Sequence, residues 1–258
     1  MPVEAFLIDL DGVMYVGGTV IPGARDALRF LEEQGYPFRF VSNTTRKSRH
    51  TIAGQLKGMG LLIPEPHIFT PAAAAAAYLS ENHRKSAVLL TTGEVAGEIT
   101  SLAGIVTDPA TAETIIVGDA GDRFTYGTLN AAFRRLLEGA ELVALEKDRF
   151  WMGTDGMMLS AGPFVAALEY ATGKEALVMG KPSRRFFLQA LASMGAEPGT
   201  AAMIGDDVVT DVGGAIACGL SGILVRTGKF REETLSRAPH PPSAILDSIA
   251  DLPGYLRG

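Results

Sequence analysis

Ala5-Phe6-Leu7-Ile8-Asp9-Leu10-Asp11-Gly12-Val13 opens the chain with a short, almost unbroken apolar run stopped by Asp-Gly. A run of this length without alternation reads as a strand covered on both faces, as in a parallel sheet. From Ile21 the pattern changes: Pro22 and Gly23 mark a helix start, Ala27, Leu28 and Leu31 fall at helical spacing, and Gly35 stops the run. Phe38 to Val41 is the next strand and Ser48 to Lys57 the next helix. Such alternation predicts an α/β fold, a parallel sheet wrapped by helices with right-handed crossovers.

The same rhythm returns near the C-terminus. Ala176 to Met179 reads as a strand, Ser183 to Met194 as an amphipathic helix, Ala201 to Ile204 as a strand, Asp211 to Cys218 as a short helix and Gly222 to Val225 as a strand. Between the halves lies a separate alternating set, with strands at Ala87 to Leu90, Thr114 to Val117 and Glu141 to Ala144 and a helix from Thr128 to Glu138. This predicts a core formed by residues 1–82 and 176–258, with an inserted α/β domain over 83–175. The Ala72 to Ala77 run reads as a closely packed helix.

The chain has 258 residues, 47% of them hydrophobic, enough for one large core or two modest ones. Its net charge of -6 repels phosphate-rich polymers, so nucleic acid is not the expected partner. Gly, Pro or charge interrupts every apolar stretch before the roughly 20 residues that a membrane-spanning helix needs. With a single cysteine, Cys218, and no leader-like segment, the expected compartment is the cytoplasm. Cys218 reads as a small buried residue, and His50, His67, His83 and His240 lack ligand spacing.

Ligands of an open parallel sheet bind beyond the carboxyl ends of its strands. The polar residues at those ends are Asp9 and Asp11; Ser42 and Asn43; Lys181; and Asp206, Asp207 and Asp211. Two like charges about 4 Å apart repel by roughly 4 kcal/mol at an effective dielectric near 20. A cation is therefore expected among these acids, and an oxygen-only cluster with few ligands suits Mg²⁺. Ser42 and Asn43 offer a hydroxyl, an amide and helix-entry N–H donors to a phosphate, and Lys181 adds positive charge. A carboxylate can attack phosphorus while a second, two residues on, gives and takes protons, and Asp9 and Asp11 fit that division. Gly180-Lys181-Pro182 is not a nucleotide-binding loop, because Glu175 stands where its first Gly belongs and Pro182 where Ser or Thr belongs.

Asp9-Leu10-Asp11-Gly12-Val13, Ser42-Asn43, Gly180-Lys181-Pro182 and Gly205-Asp206-Asp207 with Thr210-Asp211 together resemble, in order, the four motifs of the haloacid dehalogenase superfamily. The long insert is similar to the larger, C2-type α/β cap of the phosphatase branch that includes N-acetylglucosamine-phosphate (NagD-like), 4-nitrophenyl and phospholysine phosphohistidine inorganic pyrophosphate phosphatases. Val117-Gly118-Asp119, Phe124-Thr125-Tyr126, Gly162-Pro163 and Val225-Arg226-Thr227-Gly228-Lys229-Phe230 carry that finer likeness. The resemblance implies a Rossmann-like core, Asp9 as nucleophile and Mg²⁺ ligand, and Asp11 as acid/base and ligand through its main-chain oxygen. It further implies Asp206 as a Mg²⁺ ligand, Ser42, Asn43 and Lys181 as phosphate holders, and Asp211, with Asp207 beside the ligand, as outer residues. Residues 119–126 and 155–158 are its expected substrate contacts in the cap, and a homodimer its expected assembly.

The predicted activity is therefore hydrolysis of a small phosphorylated molecule: a monoester, pyrophosphate or phosphoamidate. A regulatory phosphoacceptor or a phosphotransferase would use the same residues. The chain is about twice as long as a receiver domain of roughly 100 to 150 residues, and Asp11 favours turnover over a lasting label. Thr44 to Arg49 reads as a solvated basic turn opening a helix, with a minor part in drawing in anionic substrate, and Phe150 and Trp151 as core packing or, being aromatics of the insert, as facing the substrate.

Overall fold

The computed structural model describes residues 3–153 and 155–258. Strands follow one another as β1 (Ala5–Asp9), β2 (Tyr15–Val16), β3 (Thr19–Val20), β4 (Phe38–Val41), β5 (Ile68–Phe69), β6 (Ala87–Leu90) and β7 (Thr114–Val117). Next come β8 (Glu141–Ala144), β9 (Phe150–Gly153), β10 (Gly156–Leu159), β11 (Leu177–Val178), β12 (Ala201–Gly205), β13 (Ser221–Val225) and β14 (Ala244–Leu246). The principal helices are α1 (Ala24–Glu33), α2 (Arg49–Gly58), α3 (Pro71–Glu81), α4 (Gly93–Ala103), α5 (Tyr126–Leu137), α6 (Gly162–Thr172) and α7 (Arg184–Ala192).

The chain divides into two compact units, one of residues 1–42, 50–69 and 181–258, the other of 43–49 and 70–180. The first holds a six-stranded sheet, ordered β14-β13-β12-β1-β4-β5, with every pair parallel. Phe6, Leu7 and Ile8 of β1 are buried, as the unbroken apolar run requires for a central strand with both faces covered. One face is filled by Phe6, Ile8, Phe40, Ile204 and Ile223 with Ala24, Ala27 and Leu31 of α1, whose spacing puts them on one stripe. Strand order reverses at β1: the chain moves outward through β4 and β5, then returns on the other side through β12, β13 and β14. The crevice beside β1 is thus the topological switch point, where ligands of such sheets bind.

The second unit carries a four-stranded parallel sheet, ordered β11-β8-β7-β6, and the antiparallel hairpin β9–β10. Ile115, Val117, Leu142 and Ala144 form its core with Leu136 of α5 and Val165 and Leu168 of α6. Helix α3, alanine-rich and buried along most of its length, packs on α4, and Thr70 caps it by accepting from Ala73 N–H at 3.3 Å.

Three expectations need correction. The strand read at Ala176 to Met179 is β11, and it pairs with β8 in the second unit's sheet instead of joining the main sheet. Alternation reports that a segment is a strand, not which sheet receives it. The helix expected from Asp211 to Cys218 begins earlier, as a wide helical turn, Val208–Gly213, continued by Gly214–Ala217. Phe150 and Trp151 lie half exposed on β9 and not in a core. Among the described residues no helix is long and apolar enough to cross a membrane.

Candidate active site

Parallel pairing sets the positions of the acids. Ile8 of β1 stands opposite Ile204 of β12, so Asp9 and Asp206, one and two residues further on, emerge side by side at the carboxyl edge. Both are buried, as are Asp211 and Lys181. Lys181 joins them: its Nζ lies 2.7 Å from Asp9 Oδ1 and 2.6 Å from Asp211 Oδ1. Carboxylate oxygens of Asp9, Asp206 and Asp211 come within 4.8 Å of one another.

Asp207 serves the turn that carries Asp211. Its Oδ1 accepts from Val209 and Thr210 N–H at 2.9 and 3.0 Å, capping the helical turn, and its own N–H donates to Asp211 Oδ2 at 3.3 Å. Gly205 leaves the space for this: a Cβ there would lie 2.3 Å from that of Asp211.

Asp11 stands apart from the carboxylate cluster, exposed in a tight turn where Gly12 N–H donates to Tyr15 O at 2.7 Å. Ser42 follows β4, whose Val41 is in register with Asp9, and its N–H is spent on Phe69 O at 3.1 Å. Asn43 is the next residue and belongs to the second unit. The expected helix-entry donors are not at these positions, because residues 42–48 are irregular and α2 starts only at Arg49.

The sequence reading missed a loop. Lys229 N–H donates to Asp206 Oδ2 at 2.7 Å, and Thr227 Oγ1 donates to Gly12 O. Gly228, at φ 61°, lies so close that a Cβ would stand 2.0 Å from Asp206 Oδ2. The signal was available: these residues follow β13, the neighbour of β12, so the strand-end rule applied once more would have found them. Tyr15 was also missed. Burial first, then the charges of Asp11 and Asp9, push its phenol up to about 12.

Electrostatically the cluster is short of positive charge. Burial pushes Asp206 up to about 6, and it raises Asp9 and Asp211 despite the opposing pull of Lys181. Burial works against the ammonium groups of Lys181 and Lys229, yet the surrounding carboxylates raise both. Among the described residues Asp206 Oδ1 has no hydrogen-bond partner although it is buried, a costly state for a carboxylate oxygen. All-oxygen donors, an orphaned carboxylate oxygen and an excess of acid over base fit a hard divalent cation such as Mg²⁺.

In the second unit, Thr44 to Arg49 leads into α2 with Arg46 and Lys47 exposed, as expected, but its two arginines are also paired with acids. Arg46 Nη1 pairs with buried Asp119 at 3.0 Å, and Arg49 Nε with Glu98 at 2.5 Å. Asp119 and Phe124, expected near substrate, are engaged inside that unit: Asp119 with Arg46 and Gly121 N–H, Phe124 stacked on Phe164 at 3.8 Å between ring centroids.

Comparison with known proteins bears on the same residues. A haloacid dehalogenase-like hydrolase family profile matches residues 6–105, and a HAD-hydrolase-like profile matches 178–252. Human haloacid dehalogenase-like hydrolase domain-containing protein 2 is 40% identical over 246 residues, covering 95% of this chain and 93% of the relative. Human phospholysine phosphohistidine inorganic pyrophosphate phosphatase is 39% identical over 255 residues, covering 96% and 91%. Among solved structures, NagD from E. coli K-12 superposes with a TM-score of 0.89 at 25% identity, over 97% of this chain and 98% of NagD. The 4-nitrophenylphosphatase from Thermotoga maritima does so with a TM-score of 0.89 at 27% identity, over 98% and 97%. With profiles matched over residues 6–105 and 178–252 and relatives aligned over nearly the whole length, the chain belongs to the haloacid dehalogenase-like hydrolase family, among its phosphatases.

Proposed function

We propose that this protein is a Mg²⁺-dependent phosphohydrolase of small phosphorylated molecules that works through an aspartyl-phosphate on Asp9. The observation that carries the reading is Lys181 held between Asp9 and Asp211, with the orphaned Asp206 Oδ1 beside them. Lys181 engages Asp9 Oδ1, which leaves Oδ2 for attack on phosphorus. In the first step an Asp9 Oδ2–phosphorus bond forms, the bond from phosphorus to the leaving atom (oxygen, or nitrogen in a phosphoamidate) breaks, and Asp11 gives that atom its proton. In the second, Asp11 takes a proton from water as the water oxygen bonds to phosphorus. The Asp9–phosphorus bond then breaks, releasing inorganic phosphate and restoring Asp9.

Ser42, Asn43 and Lys181 hold the phosphoryl oxygens throughout, and Asp211 fixes the Lys181 ammonium. Asp9, Asp206 and the main-chain oxygen of Asp11 would hold Mg²⁺, which offsets the negative charge of the transferring group. Asp11 is exposed, and so able to exchange protons with bulk water, which favours turnover over a stored phosphoryl group. The insert, read from sequence as residues 83–175, would act as the cap that selects the leaving group. Names of relatives support monoesters, pyrophosphate and phosphoamidates as substrate classes: one is a 4-nitrophenylphosphatase, another a phospholysine phosphohistidine inorganic pyrophosphate phosphatase.

The test is release of inorganic phosphate from 4-nitrophenyl phosphate, pyrophosphate and a panel of small esters, with Mg²⁺ or with chelator. Turnover that requires both Mg²⁺ and Asp9 is expected. Equal turnover by wild type and Asp9→Asn would reject the assignment.

A further inference from the structure

Asn43 to Arg49 is irregular up to the first residue of α2, and such segments are ordinarily the loosest part of a fold. Here the rest of the second unit holds it at Thr45, Arg46, Ser48 and Arg49. Thr45 is buried, and its Oγ1 accepts from Asp119 N–H at 3.3 Å. Arg46 reaches Asp119 Oδ1 at 3.0 Å, while its carbonyl accepts from Thr92 Oγ1 at 3.0 Å. Ser48 donates to Glu94 Oε2 through both N–H and Oγ, each at 2.9 Å. Arg49 donates to Glu98 through N–H at 3.2 Å and Nε at 2.5 Å.

Glu94 and Glu98 are four residues apart on α4, so they share a face where like charges repel. Glu98 and Asp119 side chains are only 7% and 5% exposed. Burying charge in this way yields little stability over an apolar alternative, but it fixes geometry, because removing either partner strands the other. Three acids of one unit are therefore spent on holding a short segment in one conformation. That segment begins at Asn43, immediately after Ser42.

We infer that Glu94, Glu98 and Asp119 are positioning residues for Asn43, the member of the phosphate-holding pair that lies in their own unit, clasping the segment that it opens. The inference rests on the reading of Ser42 and Asn43 as phosphate holders. Positioning of this kind acts on the group common to every substrate. Loosening the clasp therefore lowers phosphate affinity and kcat/KM together, whatever the leaving group.

The experiment uses the full chain with Mg²⁺ and compares wild type with Asp119→Asn, Glu98→Gln and the milder Arg46→Lys. Inorganic phosphate binding is measured by calorimetry, and kcat/KM on three esters with different leaving groups. Melting curves establish that each variant is folded at the assay temperature, and Ser48→Ala replaces any variant that is not. Phosphate affinity and kcat/KM are each expected to fall about tenfold in Asp119→Asn and Glu98→Gln, with the ratios among esters unchanged and Arg46→Lys in between. Folded variants with wild-type phosphate affinity would overturn the inference, as would changed ester ratios at constant phosphate affinity. A wild type that neither hydrolyses an ester nor binds phosphate would instead remove the reading of Ser42 and Asn43 itself.

Discussion

Gly228→Ala places a methyl group where the structure has no room for one. Gly228 adopts φ 61°, and its Cβ would stand 2.0 Å from Asp206 Oδ2 and 2.6 Å from Gly12 Cα. A left-handed backbone costs a non-glycine residue about 1–2 kcal/mol. The Asp206 carboxylate must also turn away, breaking the 2.7 Å bond from Lys229 N–H. A hydrogen bond to a charged group is worth about 1.5–3 kcal/mol, so the whole penalty is about 3–5 kcal/mol. Against a typical total of about 5–15 kcal/mol this removes a large share of the stability. Urea denaturation reads the loss, and calorimetric titration with Mg²⁺ reads the displaced carboxylate as a drop of about 10- to 100-fold in affinity. An unchanged urea midpoint with unchanged Mg²⁺ binding would refute the reasoning.

Two further predictions follow from the same cluster. Lys181→Met leaves Asp9 and Asp211 buried without their shared cation, and the expected destabilisation is about 3–5 kcal/mol in chelator; a loss below about 1 kcal/mol would mean that the pairing contributes little. Burial holds Asp206 at about 6, above the value of 3.8 for a free Asp, so the folded state binds its proton more tightly than the unfolded state. Its contribution to stability is complete below pH ~4 and is lost as pH rises towards ~6, on the order of 3 kcal/mol without metal. Urea midpoints in chelator between pH 4 and 7 should fall more steeply for wild type than for Asp206→Asn, and parallel slopes would contradict the assignment.

The central acids were legible because a strand buried on both faces announces itself as an unbroken apolar run, and the residue that ends it must lie at the sheet edge. Asp9 as the last residue of β1 and Asp206 just after β12 follow from that reasoning, and register then brings them together. Partners distant in sequence were not legible. Arg46 and Asp119 are 73 residues apart and Arg49 and Glu98 are 49 apart, and composition shows six polar or basic residues in a row without showing the acids that receive them. The loop at Thr227 to Lys229 contacts Asp206 largely through main-chain atoms, which sequence identity reports only through the glycine. β11 failed for another reason: a two-residue strand pairs with whichever sheet is nearer in the fold, and local pattern is silent on that.

The central claim is that Asp9 carries the phosphoryl group. Its most direct test is acid-quenched single turnover with a ³²P-labelled monoester and Mg²⁺, followed by mapping of the labelled peptide. Transient label on the peptide that contains Asp9, lost as inorganic phosphate appears and absent from Asp9→Asn, is the predicted result. Phosphate release with no labelled peptide at any time, or label that persists in Asp9→Asn, would contradict it.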